Sequence, residues 1–425
     1  MTTTSARAPV LSNVLEIREA VREFIEREVY PVEAELDGGD RAARRQILAR
    51  LAQGAKEAGL WALGHPKEIG GHGMAFMDYL YVNEVIGRST YAMPALGTQS
   101  LQDSLMLHHH ANPVWRERYL RPLVAGEIVP SFAMTEPGVG SSDPTQLVTR
   151  AVLKDGRWTI NGRKWFTTGA NEAAYTTVMC RTEEGARPHE SFSMIVVPTD
   201  APGYRLVRET PMMGILGGHC EVVYENVTVP EENLLGARGK GFRIAQERLG
   251  PGRIFHAMRW LGQAQRAFDL MCRRMHERTA FGSKLSDKQM LQRYVFESAA
   301  EIQTSRLLTL DAARKLDAGE EARMEIALIK VVGAQMLHNV IDRAIQVHGA
   351  LGLTPDTPLE LMYRHARAAR IYDGPDEVHI ESVAKRLLRR YRDGGAGHDF
   401  GLEQLQREAP TPEASTAAAA SWCKP

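Results

Sequence analysis

"QMLQRYVFESAAEIQTSRLLTLDAARKLDAG", residues 289–319, decides the architecture. Leu291, Val295, Ser298 with Ala299, Ile302 and Leu310 recur as one helical stripe, and Gly319 ends it. No proline stands between Pro251 and Pro355, and no glycine between Ser283 and Ala318, so the helices here run long. One apolar stripe on so long a helix needs partners along its whole length, which predicts a four-helix bundle over residues 246–393.

Upstream the period changes. Over residues 130–245, "AVLKDGRWTINGRKWF" carries two hairpin signals, Asp155-Gly156 and Asn161-Gly162. "AYTTVMCR", "SFSMIVVP" and "EVVYENVTVP" supply further strands, which reads as a compact antiparallel, barrel-like β domain. Residues 1–129 return to helix: Val14, Ile17, Val21, Phe24, Ile25 and Val29 keep helical spacing up to Pro31, and Ile47, Leu48, Leu51 and Leu60 repeat it. The Gly/Ala/Pro-rich residues 394–425 read as a flexible tail. The fold class is therefore α+β, mainly α, in the order helical domain, β domain, helix bundle.

Lys+Arg and Asp+Glu both number 52 in 425 residues, so no net field draws the chain to nucleic acid or an anionic membrane. Four scattered cysteines (Cys180, Cys220, Cys272, Cys423) form neither zinc pairs nor a disulfide framework, and a reducing, cytoplasmic setting is expected. No continuous apolar run of about 18 residues predicts a membrane span. The few residues before Glu16 resemble a transit peptide only faintly. His108, His109 and His110 diverge by about 100° each on a helix, so no metal site is expected there or elsewhere.

"FAMTEPGVGSSD", residues 132–143, stands where helix gives way to strand. Its small residues allow close backbone approach, and Thr135, Ser141 and Ser142 offer hydroxyls to a polar ligand edge. It is no dinucleotide fingerprint, because Asp143 stands where a third glycine belongs. In "ARIYDGPDEVH", residues 369–379, three carboxylates crowd five positions. Asp376 and Glu377 follow Pro375 where a first helical turn favours acids, so Asp376 reads as structural; Asp373 is either an N-cap or something more.

These two motifs, with "GGHGMAFMDYLYVNEVIGRS", "INGRKWFTTGAN", "ERTAFGSKLSDKQ" and "IQVHGALG" in the same order, resemble the acyl-CoA dehydrogenases from residue 11 to about 392. The resemblance implies FAD in a homotetramer, each cofactor completed by a neighbouring subunit. Phe132, Met134, Thr135, Gly140 and Ser141 would border the isoalloxazine, with Phe166 in the place of a covering tryptophan and Thr168 near N5. From the neighbour, Arg278 would meet the pyrophosphate; Phe281, Leu285 and Gln289 would line the cofactor, and Gln346, Gly349 and Ala350 would hold its adenosine end. Glu377 matches another flavin-contacting position, and Ser141, Arg253 and Gly374 match positions that touch substrate.

The family's catalytic base, usually glutamate, matches Asp373, one methylene shorter. Some members carry it instead at the position of Gly252, which cannot serve, and Glu247 lies five residues out of register. Burial against flavin and thioester is expected to raise the Asp373 pKa. "RLGPGRIFHAMR", "RLLTLDAARKLDAG" and "DGPDEVH" further resemble the dehydrogenase half of animal proteins fused to a kinase-like domain, a subgroup that shares the aspartate and is linked to 4-hydroxyacyl-CoA catabolism. An acyl-CoA substrate and electron-transferring flavoprotein as acceptor follow from the resemblance. Two other readings stay open: a flavin oxidase acting on nitroalkanes or acyl-CoA, and a flavin-carrying nucleic-acid-binding relative.

Overall fold

The computed structural model describes residues 13–394; the expected tail beyond residue 394, with Cys423, and the transit-like residues before 13 lie outside them. Helices α1 (Val14–Phe24), α2 (Arg41–Glu57), α3 (Phe76–Ile86) and α4 (Leu101–His110) build the first layer. The side chain of Asn13 accepts from the amides of Leu15 and Glu16, which fixes where α1 starts. Val21, Phe24, Ile25 and Val29 are buried, as their spacing predicts. Pro31 sits in the tight turn Tyr30–Val32.

The middle domain is one eight-stranded sheet: β1 (Val129–Ala133), β2 (Arg150–Lys154), β3 (Arg157–Thr168), β4 (Ala173–Arg181), β5 (Phe192–Pro198), β6 (Tyr204–Glu209), β7 (His219–Pro230) and β8 (Leu234–Leu235). It runs β6-β7-β3-β2-β4-β5-β8, with β1 beside β4. Two expectations need correction. The sheet is mixed, because β1 pairs with β4 in parallel and β2 touches β4 in parallel at Arg150 and Arg181. Of the two turn signals only Asp155-Gly156 makes a hairpin, both residues lying at positive φ between β2 and β3. Asn161-Gly162 stays inside β3 at a register shift opposite β7. A Cβ on Gly162 would fall 2.4 Å from Thr149 Oγ1, so this glycine allows close approach and turns nothing.

Helices α5 (Gly241–Glu277), α6 (Gln289–Asp317), α7 (Arg323–His348), α8 (Leu359–Ala368) and α9 (Asp376–Arg392) complete the chain. The helix α5 begins at Gly241, before the expected boundary at 245, and runs through Pro251. On α6, Ser298, Ile302 and Leu310 are buried while Phe296 and Leu307 face outward. An 18-residue window within Arg323–Leu353 is apolar enough to cross a membrane by length and composition, yet 61% of it is buried inside the fold.

Half-buried ion pairs tie the first layer to the bundle. The Arg266 guanidinium donates to both oxygens of Glu33 (2.9 and 2.6 Å) and lies over the Tyr30 ring, and Arg88 meets Asp269 at 2.6 Å. Backbone meets backbone at Gly262 on α5, where a Cβ would stand 1.9 Å from the Glu84 carbonyl oxygen of α3. Gly262→Ala is therefore expected to force α3 and α5 apart and destabilise the fold by about 1–3 kcal/mol in denaturant unfolding.

Candidate active site

Four pieces of chain form the candidate site: the loop after β1, the end of β3, one turn of α5, and the segment between α8 and α9. The loop is fixed from beneath. Glu136 turns inward, and its carboxylate accepts from the amides of Val148 (2.8 Å) and Thr149 (3.0 Å) and from Lys164 Nζ (2.8 Å). Lys164, wholly buried on β3, also donates to the Met134 carbonyl (2.8 Å). Burial pushes Lys164 down and Glu136 up, but the attraction between them keeps Glu136 below its ordinary value, so the pair is ionised.

Above this pair the backbone is laid bare. The Trp165 amide donates to the Thr135 carbonyl (3.0 Å), joining loop to strand. The hydroxyl of Ser141 accepts from the Glu136 amide (3.0 Å) and is spent closing the loop. A Cβ on Gly138 or Gly140 would meet nothing within 4 Å, which leaves a smooth cradle. Phe132 near the end of β1, Met134 and Thr135 on the loop, and Phe166 and Thr168 on β3 share this edge. Thr168 is held there by the β1 hydroxyl of Ser131, which donates to its carbonyl (2.9 Å), while its own hydroxyl meets His219 Nδ1 (2.9 Å). Aromatic faces, two hydroxyls and exposed backbone suit a flat, polar-edged ring system, so these residues fit an isoalloxazine.

The other expected cofactor residues stand apart. Arg278, Phe281 and Gln289 near the start of α6, and Gln346, Gly349 and Ala350 at the end of α7, are exposed, and Leu285 is half-buried. Among the described residues no hydrogen bond joins them to the 132–168 edge. Glu377 is exposed on α9.

Asp373, Gly374 and Arg253 do converge. Asp373 takes a left-handed backbone (φ 56°), uncommon outside glycine. Its carbonyl oxygen accepts three hydrogen bonds, from Arg253 Nε (3.0 Å) and Nη2 (2.9 Å) on α5 and from His379 Nε2 (3.1 Å) on α9. Gly374 follows at φ 100°, and a Cβ there would lie 2.7 Å from His379 Nε2, so it is needed for both conformation and space. Lys330 on α7 donates to the carbonyls of Ala369 (2.6 Å) and Gly374 (3.1 Å), and burial lowers it to about 8. Asp376 is claimed by Arg370 Nε (2.7 Å), in line with a structural role.

The Asp373 side chain caps no helix: Pro375 occupies the cap of α9 without a side-chain bond. Instead Oδ2 faces His256 Nε2 on α5 at 3.4 Å. Here the pKa expectation fails. Burial does push this carboxyl up, but the His256 contact and the positive charges of Arg253 and Arg248 outweigh it and hold Asp373 well below the usual carboxylate range. The alternative base positions are occupied otherwise. A Cβ on Gly252 would strike Gln102 Nε2 at 1.9 Å, and Glu247 bonds His110 (2.7 Å) and Arg243 (2.8 Å).

His256, Lys164, Glu136, Gln102 and the buried pair of Arg248 with Asp103 (3.0 Å) were not singled out from sequence. His256 had a signal, since it lies one turn beyond Gly252 on the same helical face.

Family models described as acyl-CoA dehydrogenase N-terminal, middle and C-terminal domains match residues 13–127, 131–227 and 239–388. "Probable acyl-CoA dehydrogenase FadE2" of Mycobacterium tuberculosis is 42% identical over 395 residues, covering 89% of this chain and 96% of that protein. "Acyl-CoA dehydrogenase family member 10" of Mus musculus is 40% identical over 394 residues, 88% of this chain, and the chain spans only 37% of that relative's length. Among solved structures, "a putative acyl-CoA dehydrogenase from Mycobacterium abscessus" superposes with a TM-score of 0.84 at 37% identity, covering 90% of this chain and all of that one.

Two outcomes are expected. Lys164→Met leaves Glu136 buried without its counter-charge and should cost about 3–5 kcal/mol in denaturant unfolding, part of it recovered in the double variant with Glu136→Gln. His65, His365 and His379 are each lowered by burial to about 4. The unfolded chain binds those protons first, so stability should be complete above pH ~6.5 and fall as pH drops toward ~4, with the slope of melting temperature against pH reduced in His65→Gln.

Proposed function

Because the chain belongs to the acyl-CoA dehydrogenase family over nearly its whole length, we propose that Asp373 is the base with which it removes the α-proton of an acyl-CoA thioester. The observation that carries this reading is the fixed carbonyl of Asp373. Three donors and a left-handed backbone commit the main chain, so the carboxylate is presented by a rigid support. Its low pKa keeps it ionised at any ordinary pH, ready to accept a proton. Among the described residues the Asp373 amide has no protein acceptor, which leaves it available to polarise the thioester carbonyl. FAD held along the 132–168 edge would supply the acceptor for the β-hydride.

Proton abstraction creates enolate-like charge, and the positive side chains around Asp373 favour it. Arg253, Arg248 and Lys330 all act on this position electrostatically. The same neighbourhood supports an acyl chain with a polar substituent such as a 4-hydroxyl. Arg248 Nε, Asp103 Oδ1, Ser104 Oγ and the Tyr175 hydroxyl are buried without partners, and Gln102 borders Gly252. A purely hydrocarbon chain has no use for such groups.

We further infer a homotetramer in the cytoplasm that passes electrons to electron-transferring flavoprotein. Support for the oligomer is α6 and its preceding turn, along which Arg278, Phe281, Met290, Phe296 and Leu307 are exposed. A second copy covering them would bring Arg278 to a cofactor held by its neighbour.

Anaerobic titration of purified protein with saturated and 4-hydroxylated acyl-CoAs tests the reading. Bleaching of the flavin band by a thioester is expected, and Asp373→Asn should slow it by about 10²–10⁴-fold while retaining bound FAD. A yellow protein that no thioester reduces, or rapid reoxidation of reduced flavin by air, would favour the oxidase reading instead.

A further inference from the structure

His256 has a setting that the dehydrogenation chemistry leaves unexplained. On α5 the ring packs in a three-ring cluster with Trp260 (centroids 6.1 Å apart, 23°) and Tyr372 (4.9 Å, 51°), and Trp260 Nε1 donates to the Tyr372 hydroxyl (2.8 Å). Arg259 Nη2 donates to Nδ1 of His256 at 2.9 Å. Because a guanidinium has only donors, Nδ1 must be the unprotonated nitrogen, and the ring proton is on Nε2. Arg259 is itself held by Asn83 of α3, whose Oδ1 accepts from Nη1 (3.4 Å) while Nδ2 donates to the Phe255 carbonyl (2.9 Å). A chain of partners thus aims one N–H at Asp373.

Resting on the assignment of Asp373 as base, we propose that His256 is its positioning residue: Nε2–H holds Oδ2, leaving Oδ1 to take the α-proton. Oδ1 makes no hydrogen bond among the described residues, and the 3.4 Å separation from Nε2 is of the kind that tightens in a substrate complex. In the step the Cα–H bond breaks, the O–H bond forms on Oδ1, and the electron pair stays with the thioester as its enolate. His256 transfers no proton, since both ring nitrogens are engaged. This function also answers the shorter side chain. An aspartate reaches less far than a glutamate, and a misplacement of about 1 Å can cost roughly a hundredfold, so a group that fixes which oxygen faces substrate recovers what length does not provide.

The groups around Asp373 bear on its titration from every side: His256, Arg248, Arg253 and Arg259 from α5, Lys330 from α7, His379 from α9, and Tyr372 beside it. Burial lowers His256, with Arg259 adding to the effect, so it stays neutral while Asp373 is charged. Removing its N–H withdraws a contact that favours the carboxylate, so the Asp373 pKa is expected to rise.

The experiment uses holoenzyme and a 3-thiaacyl-CoA of the length the reduction titration selects. Sulfur in place of the β-carbon leaves no hydride to transfer, so exchange of the α-hydrogens for deuterium in D2O, followed by mass spectrometry, reports the base alone. His256→Leu is expected to slow exchange about tenfold or more and move its acid limb to higher pH. His256→Gln, whose amide N–H can reach the place of Nε2, should regain most of the rate and the original limb. The flavin spectrum verifies that each variant is folded. Exchange in His256→Leu at the unsubstituted rate and pH profile would overturn the proposal, as would equal losses in both variants, which mark a packing role. Unimpaired exchange in Asp373→Asn would instead remove the base assignment on which it rests.

Discussion

A single carbonyl oxygen, that of Asp373, is where the bundle and the chemistry meet. It accepts from Arg253 on α5 and His379 on α9, and the next carbonyl accepts from Lys330 on α7. Three helices are thereby tied to two consecutive residues whose backbone is left-handed. Held so, the segment cannot relax by rotating its peptides, and the cost of its conformation is met by charge-assisted bonds. Everything the site does with the Asp373 side chain depends on this fixed main chain.

A second fixed point does the same for the β domain. Lys164 and Glu136 are buried in a pair that also satisfies two backbone amides and a carbonyl, so the loop from Thr135 to Ser141 is supported without any side chain entering its open face. Both points follow one logic: charged groups lie behind the backbone, and small residues lie in front. Glycine at 138 and 140 is the visible part of that arrangement in the loop, while Gly374 makes room for His379 behind.

The order of the layers was legible in the sequence because periodicity is a local property. Ile302, Leu310 and the first-helix stripe needed no knowledge of their partners, and Asp155-Gly156 turned as its chemistry requires. Asn161-Gly162 misled for the opposite reason: its conformation is set by Thr149 and β7, which the dipeptide cannot encode. The parallel pairing of β1 with β4 was likewise a tertiary outcome. At the site, Asp373, Gly374 and Arg253 stand in recognisable motifs. His256, Gln102 and Arg248 matter through neighbours distant in sequence, and the lowered pKa of Asp373 arises only when α5 brings its cations beside it. Burial alone would have given the other sign.

Gln102 fills the space beside Gly252 so tightly that even a methyl group would overlap its amide. Consider a descendant in which the proton-accepting carboxylate migrates from α9's approach to α5. Glutamate at 252 would require the Gln102 amide to swing aside and give up its bond to the Arg248 carbonyl at 3.3 Å. The two positions are therefore coupled: a carboxylate at 252 is admitted only as the end of Gln102 gives way.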